Sequence, residues 1–157
     1  MKTAVIISDS HGNMSALTAL DGIFAESDYI IHLGDVSADA SRIRARYPEK
    51  TIVINGNCDV PKLGDDERVI EIENLKIFAT HGHLYSAKTT LTRLVGRAAE
   101  LDCSVALYGH THAAREDEVC GITLINPGNL RRYSENSYCY LVVNGGNFTA
   151  KIVPLPR

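Results

Sequence analysis

No stretch of this sequence approaches the roughly 20 consecutive apolar residues that a membrane-spanning helix requires. The apolar run nearest the start, residues 4–7, meets Ser8-Asp9 at once and is too short for the core of a secretory leader. Neither a span nor a leader is expected, and the expected location is the cytoplasm. Cysteine is sparse: Cys58, Cys103, Cys120 and Cys139 include no C-x-x-C pair, which argues against a zinc knuckle or a thioredoxin-like motif and for reduced thiols. Only five prolines occur, against 45% hydrophobic and 22% charged residues, a composition that excludes a disordered or fibrous chain. An excess of positive charge is missing too. Sixteen Lys and Arg face nineteen Asp and Glu, net −3, so a long nucleic acid is not an expected partner. A small anionic substrate stays compatible with that charge, because bound metal ions supply local positive charge. Repeats, low-complexity tracts and linkers are absent from the pattern, which reads as one continuous domain over residues 1–157. A chain of this length buries roughly two-thirds of its unfolded surface.

What is present is an alternation of strand and helix signals. Residues 4–7 read as a strand buried on both faces, and Met14, Leu17, Leu20, Ile23 and Phe24 recur at helical spacing. Residues 29–33 and 51–54 give further strands, separated by a helix over 40–47 that Pro48 stops. Crossovers of this kind predict a parallel sheet. Residues 68–72 and 75–79 flank Glu73-Asn74 as a hairpin, Ser86 is placed to cap a helix reaching about Leu101, and 105–108 is another buried strand. Strands over 122–125, 138–143 and 148–153 follow, the last two joined by the tight turn Asn144-Gly145-Gly146-Asn147. Two packed sheets with helices outside are expected, an α/β sandwich.

Five times an apolar strand ends and a polar, glycine-containing motif begins at once. The motifs are Asp9-Ser10-His11-Gly12, Gly34-Asp35, Gly56-Asn57-Cys58-Asp59, His81-Gly82-His83 and Gly109-His110-Thr111-His112. Carboxyl ends of strands in open α/β sheets converge on one crevice, so the five motifs should share a site. Asp9, His11, Asp35, Asn57, His81, His110 and His112 offer oxygen and imidazole donors without thiolates, a set suited to Mn, Fe, Ni or Zn. Seven donors exceed the needs of one ion with open positions, and two ions sharing a carboxylate is the economical reading.

Taken together, D-x-H, G-D, G-N-x-D, H-G-H and G-H-x-H in this order resemble the calcineurin-like metallophosphoesterase family over essentially the whole chain. Gly-Asn-Cys-Asp at 56–59 and Asn126-Pro127-Gly128 look like its small single-domain, YfcE-like phosphodiesterase branch. The resemblance implies a four-layer α-β-β-α sandwich of two mixed sheets flanked by helices. It implies that Asp9, His11 and His112 hold one divalent ion, that Asn57, His81 and His110 hold the other, and that Asp35 bridges them. Mn is the expected ion, with Ni, Fe, Zn and Mg as alternatives. A hydroxide between the ions would attack phosphorus in line, so Asp35 and Asn57 act at the reaction centre and no protein nucleophile is needed. The implied substrate is a small phosphate ester, and a homo-oligomer stays open. The rival function is a protein-interaction scaffold of the same fold, which an incomplete donor set would favour.

Cys58 stands where much of the family has a histidine that serves the leaving group, and a thiol with an unperturbed pKa of about 8.5 is a poor replacement acid. His83 is a weak candidate for contact with the phosphate. Asp59 is placed to orient the turn of residues 56–58 from behind, while His32, inside a strand, reads as a core histidine bonded to a neighbour. Arg131 and Arg132 follow the Asn126-Pro127-Gly128 turn, where a bidentate clamp on phosphate is weighed against ordinary solvated arginines, and they read as solvated.

Overall fold

The computed structural model describes residues 1–156. In chain order the elements are β1 (Lys2–Ile7), α1 (Met14–Ala19), α2 (Asp21–Glu26), β2 (Tyr29–His32), α3 (Ser37–Arg46), β3 (Thr51–Val53), β4 (Glu67–Ile72) and β5 (Leu75–Thr80). A 3-10 turn at His83–Tyr85 leads to α4 (Thr92–Glu100), β6 (Val105–Leu107), β7 (Arg115–Val119), β8 (Ile122–Asn126), β9 (Asn136–Asn144) and β10 (Asn147–Leu155). The strands form two five-stranded sheets, ordered β10-β9-β1-β2-β3 and β4-β5-β6-β8-β7. Both are mixed: β1, β2 and β3 run parallel, as do β5, β6 and β8, while β9, β10, β4 and β7 pair antiparallel.

Strand periodicity builds the layers. Along β1, Ala4 and Ile6 face the second sheet, whereas Val5 and Ile7 face α1, α2 and α3, which is why the run is apolar without interruption. Ile77 and Ala79 of β5, Val105 and Leu107 of β6, and Ile125 of β8 meet Ala4 and Ile6 from the other side. Phe78, Ala106 and Leu124 point outward and are covered by Leu94 and Ala98 of α4. The result is a four-layer α-β-β-α sandwich, the expected architecture.

Local boundaries differ from the expectation in instructive ways. The stripe from Met14 to Phe24 belongs to two short helices that part at Leu20, whose side chain is nonetheless fully buried in the same apolar layer. The third helix begins at Ser37, earlier than residue 40. Ser86 caps no helix. It has a left-handed φ of 56°, and α4 starts only at Thr92, because the intervening threonines compete for main-chain bonds: Thr90 Oγ1 accepts the Thr92 N–H at 3.2 Å. The Arg-Glu-Asp-Glu-Val strand β7 carries no apolar alternation and escapes sequence reading; it is the exposed edge of its sheet, where charged side chains discourage further pairing.

Candidate metal centre

Strands β1, β2, β3, β5 and β6 deliver their carboxyl ends to one rim, and main-chain bonds lock those ends together. The Asp9 N–H donates to the Gly34 carbonyl at 2.9 Å, Ser10 N–H to Asp35 at 2.8 Å, and Gly109 N–H to His81 at 2.8 Å. Side chains tie one sheet to the other. His81 Nδ1 lies 2.7 Å from the Leu33 carbonyl, and the His110 N–H donates to Asp9 Oδ2 at 3.1 Å.

The backbone at this rim is unusual. Asp9, His11, Asp35, His110 and His112 all have left-handed φ, from 44° to 68°, a region L-residues rarely adopt and one that gathers at functional sites. At Gly109 the constraint is space rather than φ. A Cβ there would stand 2.0 Å from Ser8 Oγ and 2.8 Å from Asp9 Oδ2.

Each buried carboxylate has one oxygen engaged and one turned inward. Asp9 Oδ2 accepts from Ser8 Oγ at 2.5 Å and from the His110 amide, which fixes the plane of the group. Its Oδ1 has no hydrogen-bond partner and faces three imidazole nitrogens: His112 Nε2 at 3.1 Å, His11 Nε2 at 3.7 Å and His81 Nε2 at 3.8 Å. Asp35 Oδ1 accepts the Cys58 N–H at 2.9 Å, while Oδ2 lies 3.4 Å from His81 Nε2 and 3.8 Å from His11 Nε2.

The lone pairs of His81 can be assigned. A carbonyl only accepts, so Nδ1 carries a proton toward Leu33, and Nε2, which holds the lone pair when the ring is neutral, faces the two carboxylates. Burial opposes a charge on His81, yet Asp35 and Asp9 outweigh it and push its pKa up; burial likewise opposes ionisation of Asp35, yet His81 and the Cys58 amide hold that carboxyl well below the usual range. The space between them favours a positive charge, and buried atoms with nothing to bond are otherwise costly. Asp9 Oδ1, His11 Nε2 and His81 Nε2 are such atoms, which is the condition a cation relieves. Burial lowers the pKa of His83, His110 and His112, keeping their rings neutral and available as donors.

Two sets of donors each bring their ligand atoms within 4.8 Å of one another: Asp9, His11 and His112 in one, and Asp9, Asp35 and His81 in the other. Five of the seven predicted donors are thus brought together. His110 and Asn57 stand outside those sets: the His110 ring packs 5.1 Å from the His81 ring, and Asn57 is exposed on the turn after β3. His83 lies at the same rim, its ring 5.5 Å from His81 and 6.1 Å from His110, with a buried and unpartnered Nδ1. Asp59 Oδ2 accepts from the Gly56 N–H at 2.7 Å and the Asp35 N–H at 3.1 Å, holding the turn and the Asp35 backbone together. Cys58 gives Asp35 its amide. Burial and then the nearby Asp35 raise the thiol pKa, so the group is a weaker acid than a free thiol.

Further residues brace the donors from behind, and His32 is bonded to its neighbours as expected. His32 accepts the Gly34 N–H through Nδ1 at 3.0 Å, and its Nε2 is 3.0 Å from Ser10 Oγ. Ser10 in turn donates to Asp39 Oδ2 at 2.6 Å, which also accepts the Gly12 N–H at 2.8 Å. Asp39 sits in the first turn of α3, just beyond the Gly34-Asp35 motif, and only the fold reveals its bond to Ser10. Asn126 Nδ2 donates to Thr111 Oγ1 at 2.9 Å and Asn129 Nδ2 to the His112 carbonyl at 2.8 Å, bracing the Gly109–His112 loop. Arg131 is not simply solvated: its Nη1 lies 3.1 Å from His112 Nδ1.

Comparison with known proteins fits this geometry. Residues 1–146 match the model of the calcineurin-like phosphoesterase superfamily domain. The chain is 40% identical over 130 residues to the probable metallophosphoesterase YsnB of Bacillus subtilis, covering 81% of this chain and 74% of YsnB. It is 29% identical to the phosphodiesterase MJ0936 of Methanocaldococcus jannaschii, covering 82% and 84%. Among solved structures, a predicted phosphoesterase from Streptococcus pneumoniae superposes with a TM-score of 0.80 at 27% identity, over 98% of this chain and 89% of that one. Vps29 of Entamoeba histolytica, solved with Zn2+, superposes with a TM-score of 0.77 at 21% identity, over 97% and 98%, a likeness of fold. The strand-end donors, the two-sheet sandwich and these matches lead to one conclusion: the chain belongs to the calcineurin-like phosphoesterase superfamily, whose members are metal-dependent.

Proposed function

We propose that the protein is a binuclear metal-dependent phosphodiesterase that hydrolyses small phosphate esters by in-line attack of water on phosphorus. The observation that carries the reading is the convergence of unpartnered lone pairs on Asp9 Oδ1, His11 Nε2 and His81 Nε2 in a buried pocket. Asp9, His11 and His112 would hold one ion, and His81, with Asn57 and His110 from the adjoining loops, the other. Asp35 would serve both, since its Oδ2 stands 3.8 Å from His11 of the first group and 3.4 Å from His81 of the second. When bound, a pair of divalent ions activates water and neutralises charge developing on the phosphoryl oxygens. The chain's own part is orientation: Ser8 and the His110 amide set the Asp9 carboxylate, the Leu33 carbonyl sets His81, and Asp59 sets the backbone of Asp35. Mn2+ suits this oxygen and imidazole set. The relative MJ0936, a phosphodiesterase by name, supports the diester preference. A scaffold role draws on the Vps29 likeness alone, and the five donors that converge around the buried Asp9 and Asp35 carboxylates favour hydrolysis.

The test is metal analysis of the purified protein joined to a screen of aryl phosphomonoesters and phosphodiesters in Mn2+. Two ions per chain and faster diester cleavage are expected. A single ion per chain, or no ester cleaved above background, would refute it.

A further inference from the structure

Unlike the rings of His81 and His112, the ring of His11 has no side-chain or carbonyl partner to orient it. His81 Nδ1 meets the Leu33 carbonyl, and His112 Nδ1 meets Arg131. The His11 ring makes no hydrogen bond among the described residues. It faces Asp9 Oδ1 at 3.7 Å and Asp35 Oδ2 at 3.8 Å and packs 5.5 Å from the His112 ring. Imidazoles that bind metal are normally oriented by a hydrogen bond on their other nitrogen. For His11 the orientation has to come from the main chain, which passes through two successive left-handed residues, His11 at φ 44° and Gly12 at φ 79°.

That main chain is held from both sides by a single atom. Asp39 Oδ2 accepts from Ser10 Oγ at 2.6 Å, just before His11, and from the Gly12 N–H at 2.8 Å, just after it. A row of bonds from β2 fixes Ser10 in turn. The Gly34 N–H donates to His32 Nδ1 at 3.0 Å, so the neutral ring has its hydrogen on Nε2 and donates it to Ser10 Oγ, also at 3.0 Å; the Ser10 hydroxyl then donates to Asp39. Every donor in this buried row points toward the one carboxylate. Asp39 is 2% exposed and pairs with no Lys or Arg among the described residues, so these bonds and the first turn of α3 are what stabilise its charge. On the opposite side of the centre Asp59 Oδ2 does the same for the Gly56 and Asp35 N–H groups, so each of the two loops has its own carboxylate behind it.

We infer that Asp39 is the positioning residue of His11: it sets the main chain on both sides of that donor, and thereby the affinity for the one ion that His11 and His112 share with Asp9. This rests on the binuclear reading above. Only one oxygen of Asp39 is used, so the carbonyl oxygen of an Asn can accept both bonds.

Calorimetric titration of Mn2+ into chelator-treated protein, with electron paramagnetic resonance of the loaded samples, tests this without any turnover. Wild type should take up two ions and give the spectrum of a coupled pair. Asp39→Ala should bind one ion about 10–100-fold more weakly, the loss usual for residues behind metal ligands, and the other within about threefold of wild type. At limiting Mn2+ its spectrum should be that of an isolated ion. His11→Ala should lose the same ion, and adding Asp39→Ala to it should change nothing further. Asp39→Asn should restore most of the affinity. Ile43→Val, which loosens α3 through packing alone, should bind both ions as wild type does. Ser10→Ala removes one of the two bonds and should weaken the same ion to a lesser degree; it takes the place of Asp39→Ala if circular dichroism shows that variant unfolded. Unchanged affinity in Asp39→Ala, equal weakening of both ions, the same loss in Ile43→Val, or a further loss on top of His11→Ala would each overturn the inference. A loss in Asp39→Asn as large as in Asp39→Ala would assign the effect to charge rather than position and overturn it as well. A wild type that takes up fewer than two ions sinks the binuclear reading and this inference together, and the Mn2+ stoichiometry identifies that case.

Discussion

If two ions fill a pocket of buried, unpartnered donors, metal binding and folding are linked, and the link should run through Asp35. A ligand that binds only the folded state adds about 2.7 kcal/mol at 100 times its Kd, so two ions add roughly 5 kcal/mol. For a chain of this length each kcal/mol moves Tm by about 2–4 °C, which predicts a rise of roughly 10–20 °C between chelated and Mn2+-saturated protein. Asp35→Ala removes the carboxylate whose Oδ2 lies between His11 and His81, and both ions should lose affinity. The metal-free variant also loses the Cys58 amide hydrogen bond and the contact with His81, together about 1–2 kcal/mol or a few degrees. Differential scanning fluorimetry with and without chelator, on wild type and variant, reads both numbers. The variant should unfold close to metal-free wild type, show less than half the metal-induced rise, and hydrolyse nothing. A full rise in Asp35→Ala would show that no ion depends on this carboxylate, and retained activity would remove it from the chemistry.

Gly109→Ala should destabilise the chelated protein by about 1–3 kcal/mol, since the added methyl meets Ser8 Oγ and Asp9 Oδ2 in a fully buried corner. It should also weaken metal uptake by turning Asp9; urea unfolding and metal content indistinguishable from wild type would contradict the packing argument. Because Cys58 offers a thiol that is a poor proton donor, cleavage of aryl phosphodiesters should depend steeply on phenol pKa, and Cys58→His should flatten that slope, general acids being worth roughly 10²–10⁴-fold. A shallow slope in wild type would mean another group already supplies the proton.

The layers and the site were legible for the same reason. A strand buried on both faces reads as an unbroken apolar run, and the donors sit where such runs stop, so Ile7, Leu107 and their equivalents mark both the core and the rim. What depended on small energy differences was not legible. Whether one helix or two carries the stripe from Met14 to Phe24 turns on a single residue, Leu20, and Ser86 loses its capping role to competing threonine hydroxyls. Strand β7 is held by pairing with β8 rather than by burial, so its Arg-Glu-Asp-Glu-Val sequence shows nothing of it. The supports were hidden because they act across the fold. Asp39 reaches Ser10 from a helix 29 positions away, and Arg131 reaches His112 from 19.

The left-handed conformations at Asp9, His11, Asp35, His110 and His112 set mutational drift against the centre. Each holds its residue in a state worth about 1–3 kcal/mol of strain, which glycine alone would shed without moving the backbone. The substitution that relaxes any of these positions is therefore the one that deletes its donor. Selection for stability alone would strip this rim of its chemistry one residue at a time while leaving the sandwich behind it intact.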